Sequence, residues 1–230
     1  MVTVKQIDNG TWIFDEGGVR FFLLTGTEKA LLIDSGMQTR NAKELAEEIT
    51  DLPLLLLNTH ADPDHIGSND EFDRFYMSPA ECSNYYKSQG RGGNFIPVWD
   101  QDILELGERT LRIIALPGHT PGSIAVLDEK NGRLFSGDPI QDGRIFMFGV
   151  QREMHAYVRS LERLQKYTKW FSEIFPSHGT CPVDPAIIGE LTDAAEKILN
   201  GKAEGHPGDM FGSPITVYDM GAATFLCDAK

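Results

Sequence analysis

Basic residues are in short supply: the 230-residue chain carries 21 Lys and Arg against 34 Asp and Glu, a net charge of −13. A field of that sign repels phosphate backbones, and no local basic patch interrupts it, so nucleic acid is not an expected partner. Cysteine is scarce as well. Cys82, Cys181 and Cys227 are odd in number, far apart and without a CxxC pair. They offer neither a disulfide framework nor a cysteine-built zinc site, and they point to free thiols in a reducing compartment. No apolar run reaches the roughly 20 residues needed to span a bilayer. Residues 1–8, MVTVKQID, lack the apolar core of a signal peptide. A cytoplasmic protein with no membrane partner is therefore expected. No repeat with a period of about 20 to 50 residues and no linker long enough to divide the chain is present, so residues 1–230 read as one domain, with 41% hydrophobic residues to build a substantial core.

What is present begins as short strands broken by turns, at 2–7, 11–14, 19–24 and 30–33, which make a meander. Thr39 is placed to cap a helix whose apolar face is Ala42, Leu45, Ala46 and Ile49, and a buried strand over 54–58 follows. A strand at 75–77 and a helix over 79–87 lead into residues 88–94, SQGRGGN, whose glycines and lack of hydrophobic period predict a mobile loop. Strands fit 110–115, 123–128 and 133–136, with Asn131-Gly132 as a hairpin turn between the last two. The second half thus repeats the plan of the first. Tyr157, Leu161, Leu164, Thr168 and Phe171 recur at helical steps and predict one core-facing stripe. A short strand at 174–176, a helix opened by Asp184-Pro185 and stopped at Asn200-Gly201, and strands at 215–218 and 222–226 complete the chain. Residues 205–209, GHPGD, read as a turn. Sheets covered by helices are the economical packing for such a pattern.

The segment that carries most chemistry is His60-Ala61-Asp62-Pro63-Asp64-His65, directly after Leu54-Leu55-Leu56-Leu57-Asn58. A strand ends in a loop rich in imidazole and carboxylate, the usual protein ligands of zinc, iron and manganese. Residues 60, 62 and 64 share one face of an extended segment, whereas the adjacent Asp64 and His65 point apart, so one loop has donors for two ions. Pro63 opposes helix formation there. Three later segments each set one strong ligand among turn formers: Pro117-Gly118-His119-Thr120-Pro121-Gly122, Ser136-Gly137-Asp138-Pro139 and Pro176-Ser177-His178-Gly179. Each follows an apolar strand, and the glycines permit close backbone approach. Singly these segments are weak signals; together they converge on a metal centre.

In the order and spacing of these motifs the chain resembles the metallo-β-lactamase superfamily, from Leu32-Ile33-Asp34-Ser35-Gly36 to the His178 loop. The resemblance fades after Gly201. It implies an α+β fold, a four-layer αββα sandwich of two similar halves, with two divalent metal ions at one edge. By motif it implies His60, Asp62 and His119 on one ion, Asp64, His65 and His178 on the other, and Asp138 bridging, with Asp34 supporting the loop from behind. Asp62 departs from the family pattern: HxDxDH stands where HxHxDH is usual. The added carboxylate tilts the site toward iron or manganese, with zinc still compatible.

The activity so implied is that of a binuclear metal-dependent hydrolase acting on a small ester, thioester or lactone through a metal-bound hydroxide, with Asp64 orienting the nucleophile and handling its proton. A small molecule is the expected partner. The alternative reading on the same fold is a di-iron redox enzyme reducing oxygen or nitric oxide, or an iron-dependent persulfide oxidation, and Asp62 is its support. Candidate substrate contacts are Arg144 and Arg152, soon after Asp138, and Tyr86 and Phe95, which flank the glycine-rich stretch.

Overall fold

The seven-stranded sheet owes its centre to two strands with hardly a polar atom in their side chains. These are β4 (Ala30–Ile33), buried along its whole length, and β5 (Leu54–Leu57), four leucines. Apolar residues on both faces suit parallel pairing between covering layers, and β4 and β5 pair in parallel with Ala30 opposite Leu54 and Ile33 opposite Leu57. The computed structural model describes residues 2–229. The chain divides into two compact units, residues 1–114 with 126–130 and residues 115–125 with 131–230.

In the first unit β1 (Thr3–Asp8), β2 (Thr11–Asp15), β3 (Arg20–Thr25) and β4 form the antiparallel meander expected. Beyond β5 the sheet adds β6 (Phe75–Met77) and β7 (Phe95–Pro97), both parallel. Helices α1 (Ala42–Glu47) and α2 (Cys82–Gln89) lie in the connections. Phe14 stacks on Phe21 with centroids 4.8 Å apart, within a buried cluster that includes Leu23, Leu32, Ala46, Leu56, Ile66 and Phe75. The strands β8 (Ile103–Glu105) and β9 (Thr110–Ala115) pair antiparallel and β10 (Ile124–Asp128) follows; in the second unit β11 (Arg133–Gly137) and, after β12 (Arg144–Met147), β13 (Glu173–Pro176) pair in parallel.

In the second unit α3 (Met154–Leu164) and α4 (Ile187–Leu199) pack together, burying Tyr157, Leu161, Leu164, Leu191 and Ala195. The remaining strands, β14 (His206–Met210), β15 (Ser213–Asp219) and β16 (Thr224–Asp228), join β12 in the order β12-β16-β15-β14. No helix among the described residues is long and apolar enough to cross a membrane.

Four local expectations change. The stripe from Tyr157 does not continue to Phe171 as one helix: α3 gives way to 3-10 turns over Gln165–Trp170, none of them buried. There the Thr168 hydroxyl donates to the Gln165 carbonyl (2.9 Å), competing with the helical ladder. Thr39 does not cap α1. Its amide donates to Glu16 and its carbonyl accepts from Ser68, so it is held by the loop, and Asn41 takes the cap position while Glu71 accepts the Lys43 amide. Helix α2 runs two residues into the expected mobile stretch, and Ser88 Oγ donates to the Ala61 carbonyl (3.0 Å). Finally, His206 to Asp209 is strand rather than turn. Pro207 and Gly208 read as punctuation, yet β14 is the edge of its sheet, where proline is tolerated.

Candidate metal centre

The loop after β5 gathers His60, Asp62, Asp64 and His65, and its shape is imposed from behind by Asp34. This residue sits at φ 63°, a left-handed conformation that aspartate adopts more readily than most residues. Its Oδ1 accepts the Thr59 amide (2.7 Å), while Oδ2 accepts the Thr59 hydroxyl (2.7 Å) and bonds Nδ1 of His65 (2.8 Å). The Thr59 hydroxyl, having donated its proton, accepts from Nδ1 of His60 (3.1 Å). Both imidazoles therefore carry their proton on Nδ1 and present Nε2 as a lone pair. The ring centroids lie 3.9 Å apart with the planes tilted by 48°, and both rings are fully buried. Buried amides finish the frame: Asn58 donates to the His65 carbonyl (3.0 Å) and accepts from Asn69 (2.7 Å).

Asp62 is held from α2. Asn84 Nδ2 donates to its Oδ1 (2.9 Å) and to Oε2 of Glu81 (3.1 Å), and the buried Glu81 accepts the Ala61 amide (2.9 Å). The other oxygen of Asp62 lies 3.6 Å from Nε2 of His60, and Asp64 Oδ2 lies 3.6 Å from Nε2 of His65.

The second unit gathers His119, Asp138 and His178. Gly118, at φ 142°, lets the His119 loop press on α3; a Cβ there would stand 2.4 Å from the Tyr157 backbone. His119 Nδ1 bonds the Phe146 carbonyl (2.9 Å), again leaving Nε2 as the donor atom. The Arg152 guanidinium donates to the His119 carbonyl. Asp138 follows β11 through Gly137 (φ 60°), and its loop is fixed by Gln141 Nε2 on its carbonyl (3.1 Å) and by the Tyr157 hydroxyl on the Pro139 carbonyl (2.7 Å). Burial pushes the Tyr157 phenol far above its ordinary pKa, so it acts purely as a donor there. The two oxygens of Asp138 face different imidazoles: Oδ2 is 3.5 Å from Nε2 of His119, and Oδ1 is 3.3 Å from Nε2 of His178.

These spacings test whether metal fits. Four imidazole–carboxylate pairs stand at 3.3 to 3.6 Å, mostly longer than an N–H···O hydrogen bond. Two donors each about 2.1 Å from one tetrahedral ion are about 3.4 Å apart. Nitrogen and oxygen donors with Nδ1 fixed by a second residue are the usual protein environment of zinc and related ions. The residues fit metal.

The family model described as the metallo-beta-lactamase superfamily matches residues 14–204. The chain belongs to the metallo-β-lactamase superfamily. It is 29% identical over 210 residues to the human acyl-coenzyme A thioesterase MBLAC2, covering 70% of this chain and 74% of that protein. It is 34% identical over 164 residues to a hydroxyacylglutathione hydrolase from Bdellovibrio bacteriovorus, covering 67% and 60%. Among solved structures, the metallo-beta-lactamase from Pontibacter korlensis superposes with a TM-score of 0.72 at 18% identity, covering 85% of this chain and 99% of that one. The fold is accordingly α+β of the metallo-β-lactamase type. The protein is a metal-dependent hydrolase of this superfamily.

The other candidate residues are less tightly placed. Arg144 is exposed at the start of β12, Tyr86 is exposed on α2, and Phe95 is half-buried on β7 with its ring 6.5 Å from that of Phe75. Thr59, Glu81, Asn84 and Tyr157 were missing from the sequence reading of the site. Only Thr59 had a local signal, its position beside His60; the others reach the loops from helices distant in the chain.

Proposed function

We propose that this superfamily member is a thioesterase, working on a small acyl thioester with two divalent ions. His60, Asp62 and His119 would hold one ion, Asp64, His65 and His178 would hold the second, and Asp138 would serve both. The observation that carries this reading is the run of four imidazole–carboxylate pairs at 3.3 to 3.6 Å, with Nδ1 of His60, His65 and His119 tied on the far side. The thioester class is supported by relatives whose names are acyl-coenzyme A thioesterase and hydroxyacylglutathione hydrolase. Three carboxylates among seven ligands admit iron or manganese beside zinc. The three cysteines are free thiols, which supports a reducing compartment such as the cytoplasm.

Divalent cations supply a Lewis acid and a water acidified toward neutral pH. The rest falls to the chain. Asp64, the most open carboxylate of the set with a quarter of its side chain exposed, orients the attacking water and takes its proton. The water oxygen bonds to the acyl carbon and the carbon–sulfur bond breaks. The thiolate leaves without a dedicated acid, because a thiol with a pKa of about 8.5 is a good leaving group; the proton on Asp64 then passes to it or to solvent. Asp34 and the Phe146 carbonyl keep the rings of His65 and His119 oriented throughout.

The test is metal analysis of protein purified without added metal, followed by a panel of thioesters, oxyesters and lactones. Two equivalents of metal with thioester turnover above the other classes is the expected result. One equivalent, or turnover confined to lactones, overturns the reading.

A further inference from the structure

The turn between β14 and β15 is a two-residue loop, since Met210 pairs with Ser213. Phe211 and Gly212 occupy it at φ 53° and 77°. Such loops favour Asn-Gly or Asp-Gly because both positions need positive φ. Here a bulky aromatic takes the left-handed position, where its Cβ is strained, and it is 84% exposed. A strained residue that gains so little burial marks a place to look for function. The Phe211 ring meets the edge of Phe146 (6.2 Å between centroids), and Phe146 meets Phe148 (5.6 Å). Phe146 and Phe148 are half-buried, and Val150, two residues on, is 83% exposed. The same Phe146 gives its carbonyl to His119, so the aromatic cluster is built on the residue that orients a metal-centre histidine.

We propose that Phe146, Phe148 and Phe211 are the platform on which the acyl chain of the substrate lies. The inference rests on the thioesterase reading and adds a substrate class to it: thioesters with a long, uncharged acyl group. Three features select this occupant. Continuity with His119 ties the patch to a metal-centre loop, since the residue that carries the central ring also holds Nδ1 of that histidine. Carboxylates edge it, Asp209 accepting the Gly212 amide (3.0 Å) and Asp228 the Gly149 amide (2.8 Å), which disfavours an anionic lipid surface. Three partly exposed rings and a valine also fall well short of the roughly 800 Å² per partner that a stable dimer buries.

The test compares wild type, Phe211→Asn and Phe211→Leu. Asparagine is favoured in this turn, so the fold should survive with an unchanged or higher melting temperature. Binding of S-hexadecyl and S-ethyl coenzyme A thioethers, which cannot be hydrolysed, is measured by calorimetry, and turnover of palmitoyl and acetyl thioesters on the same preparations. Phe211→Asn should weaken hexadecyl binding roughly tenfold, the equivalent of about two buried methylenes, and leave ethyl binding within about twofold. Phe211→Leu should keep most of the affinity. Equal hexadecyl binding in wild type and Phe211→Asn overturns the platform, as does a dimer that Phe211→Asn converts to monomer. Phe211-dependent hexadecyl binding without hydrolysis of any thioester leaves the platform standing and removes the thioesterase reading. Thioester turnover with a chain-length profile indifferent to Phe211 does the reverse.

Discussion

Asn84 Nδ2 lies 2.9 Å from Oδ1 of Asp62 and donates to it. That bond occupies one carboxylate oxygen and leaves the other toward Nε2 of His60. The amide is itself held by the buried Glu81, so α2 orients a carboxylate at position 62. A histidine there would offer Asn84 no anionic oxygen. The departure from HxHxDH thus comes with a partner suited to it.

Asn84→Ala should release Asp62 and weaken one of the two proposed ions about 10- to 100-fold, the usual effect of losing a residue that orients a ligand. Bound metal after dialysis against graded chelator is the measurement. The second ion should stay. Equal loss of both, or of neither, would separate Asn84 from the site.

Asp34→Asn tests the support beneath the loop. Asparagine also tolerates φ 63°, so the backbone is not the variable. What changes is charge and acceptor count: the variant keeps one oxygen for the three contacts now made by Thr59 and His65. Metal affinity should fall about 10- to 100-fold while the metal-free melting temperature changes little. A large drop in metal-free stability with unchanged affinity would make Asp34 a folding residue only.

The four ligand loops were legible in the sequence because each is local: apolar strand, turn former, imidazole or carboxylate. The meander of β1 to β4 and the leucine strand β5 were legible for the same reason, since burial of a strand is written in its own residues. What holds the ligands was not. Asn84 is 22 positions from Asp62, and Tyr157 is 18 from Pro139, whose carbonyl it holds; no spacing rule connects them. Strand β14 was hidden by Pro207 and Gly208, whose turn propensity is overridden by pairing with β15 at a sheet edge. The end of α3 was hidden because Thr168 and Phe171 keep helical spacing, although the chain there has tightened into 3-10 turns.

Acid should loosen the loop that leads from Asp34 to α1. Glu16 accepts the amides of Met37 (3.1 Å), Gln38 (3.0 Å) and Thr39 (2.8 Å). Burial alone would raise its pKa, but the hydrogen bonds from Gln38, Thr39 and Met37 together outweigh burial and hold it below the ordinary value. A group whose folded pKa is depressed stabilises the fold above its unfolded pKa of about 4.3, and that contribution is lost as pH falls through the lower folded value. Glu16→Gln should therefore melt below wild type at neutral pH, with the gap closing as pH drops below about 4. A gap constant with pH would contradict it.

Asp138→Ala should make both ions labile, because its two oxygens face His119 and His178 separately and a carboxylate between two cations screens their repulsion. His119→Ala and His178→Ala should each weaken mainly one. Metal content and thioester turnover on the same samples decide it. Two tightly held ions in Asp138→Ala would remove that residue from the bridge.

Asp62→His restores HxHxDH, removes a negative charge and softens one ion's environment, so metal preference should shift toward zinc over iron or manganese. It also separates the hydrolytic reading from a redox one. Hydrolysis needs a Lewis acid rather than a change of oxidation state, so the zinc-loaded variant should keep turnover within about two orders of magnitude of wild type. An iron redox enzyme carrying zinc would be inert, since zinc has no accessible second oxidation state. The double variant Asp62→His with Asn84→Ala adds a control: if Asn84 acts through Asp62, removing it costs metal affinity in wild type and little once histidine stands at 62. Loading each protein with zinc, iron and manganese in turn, and measuring affinity and turnover for each, reads both effects. An unchanged order of metal preference would mean that Asp62 does not bind metal.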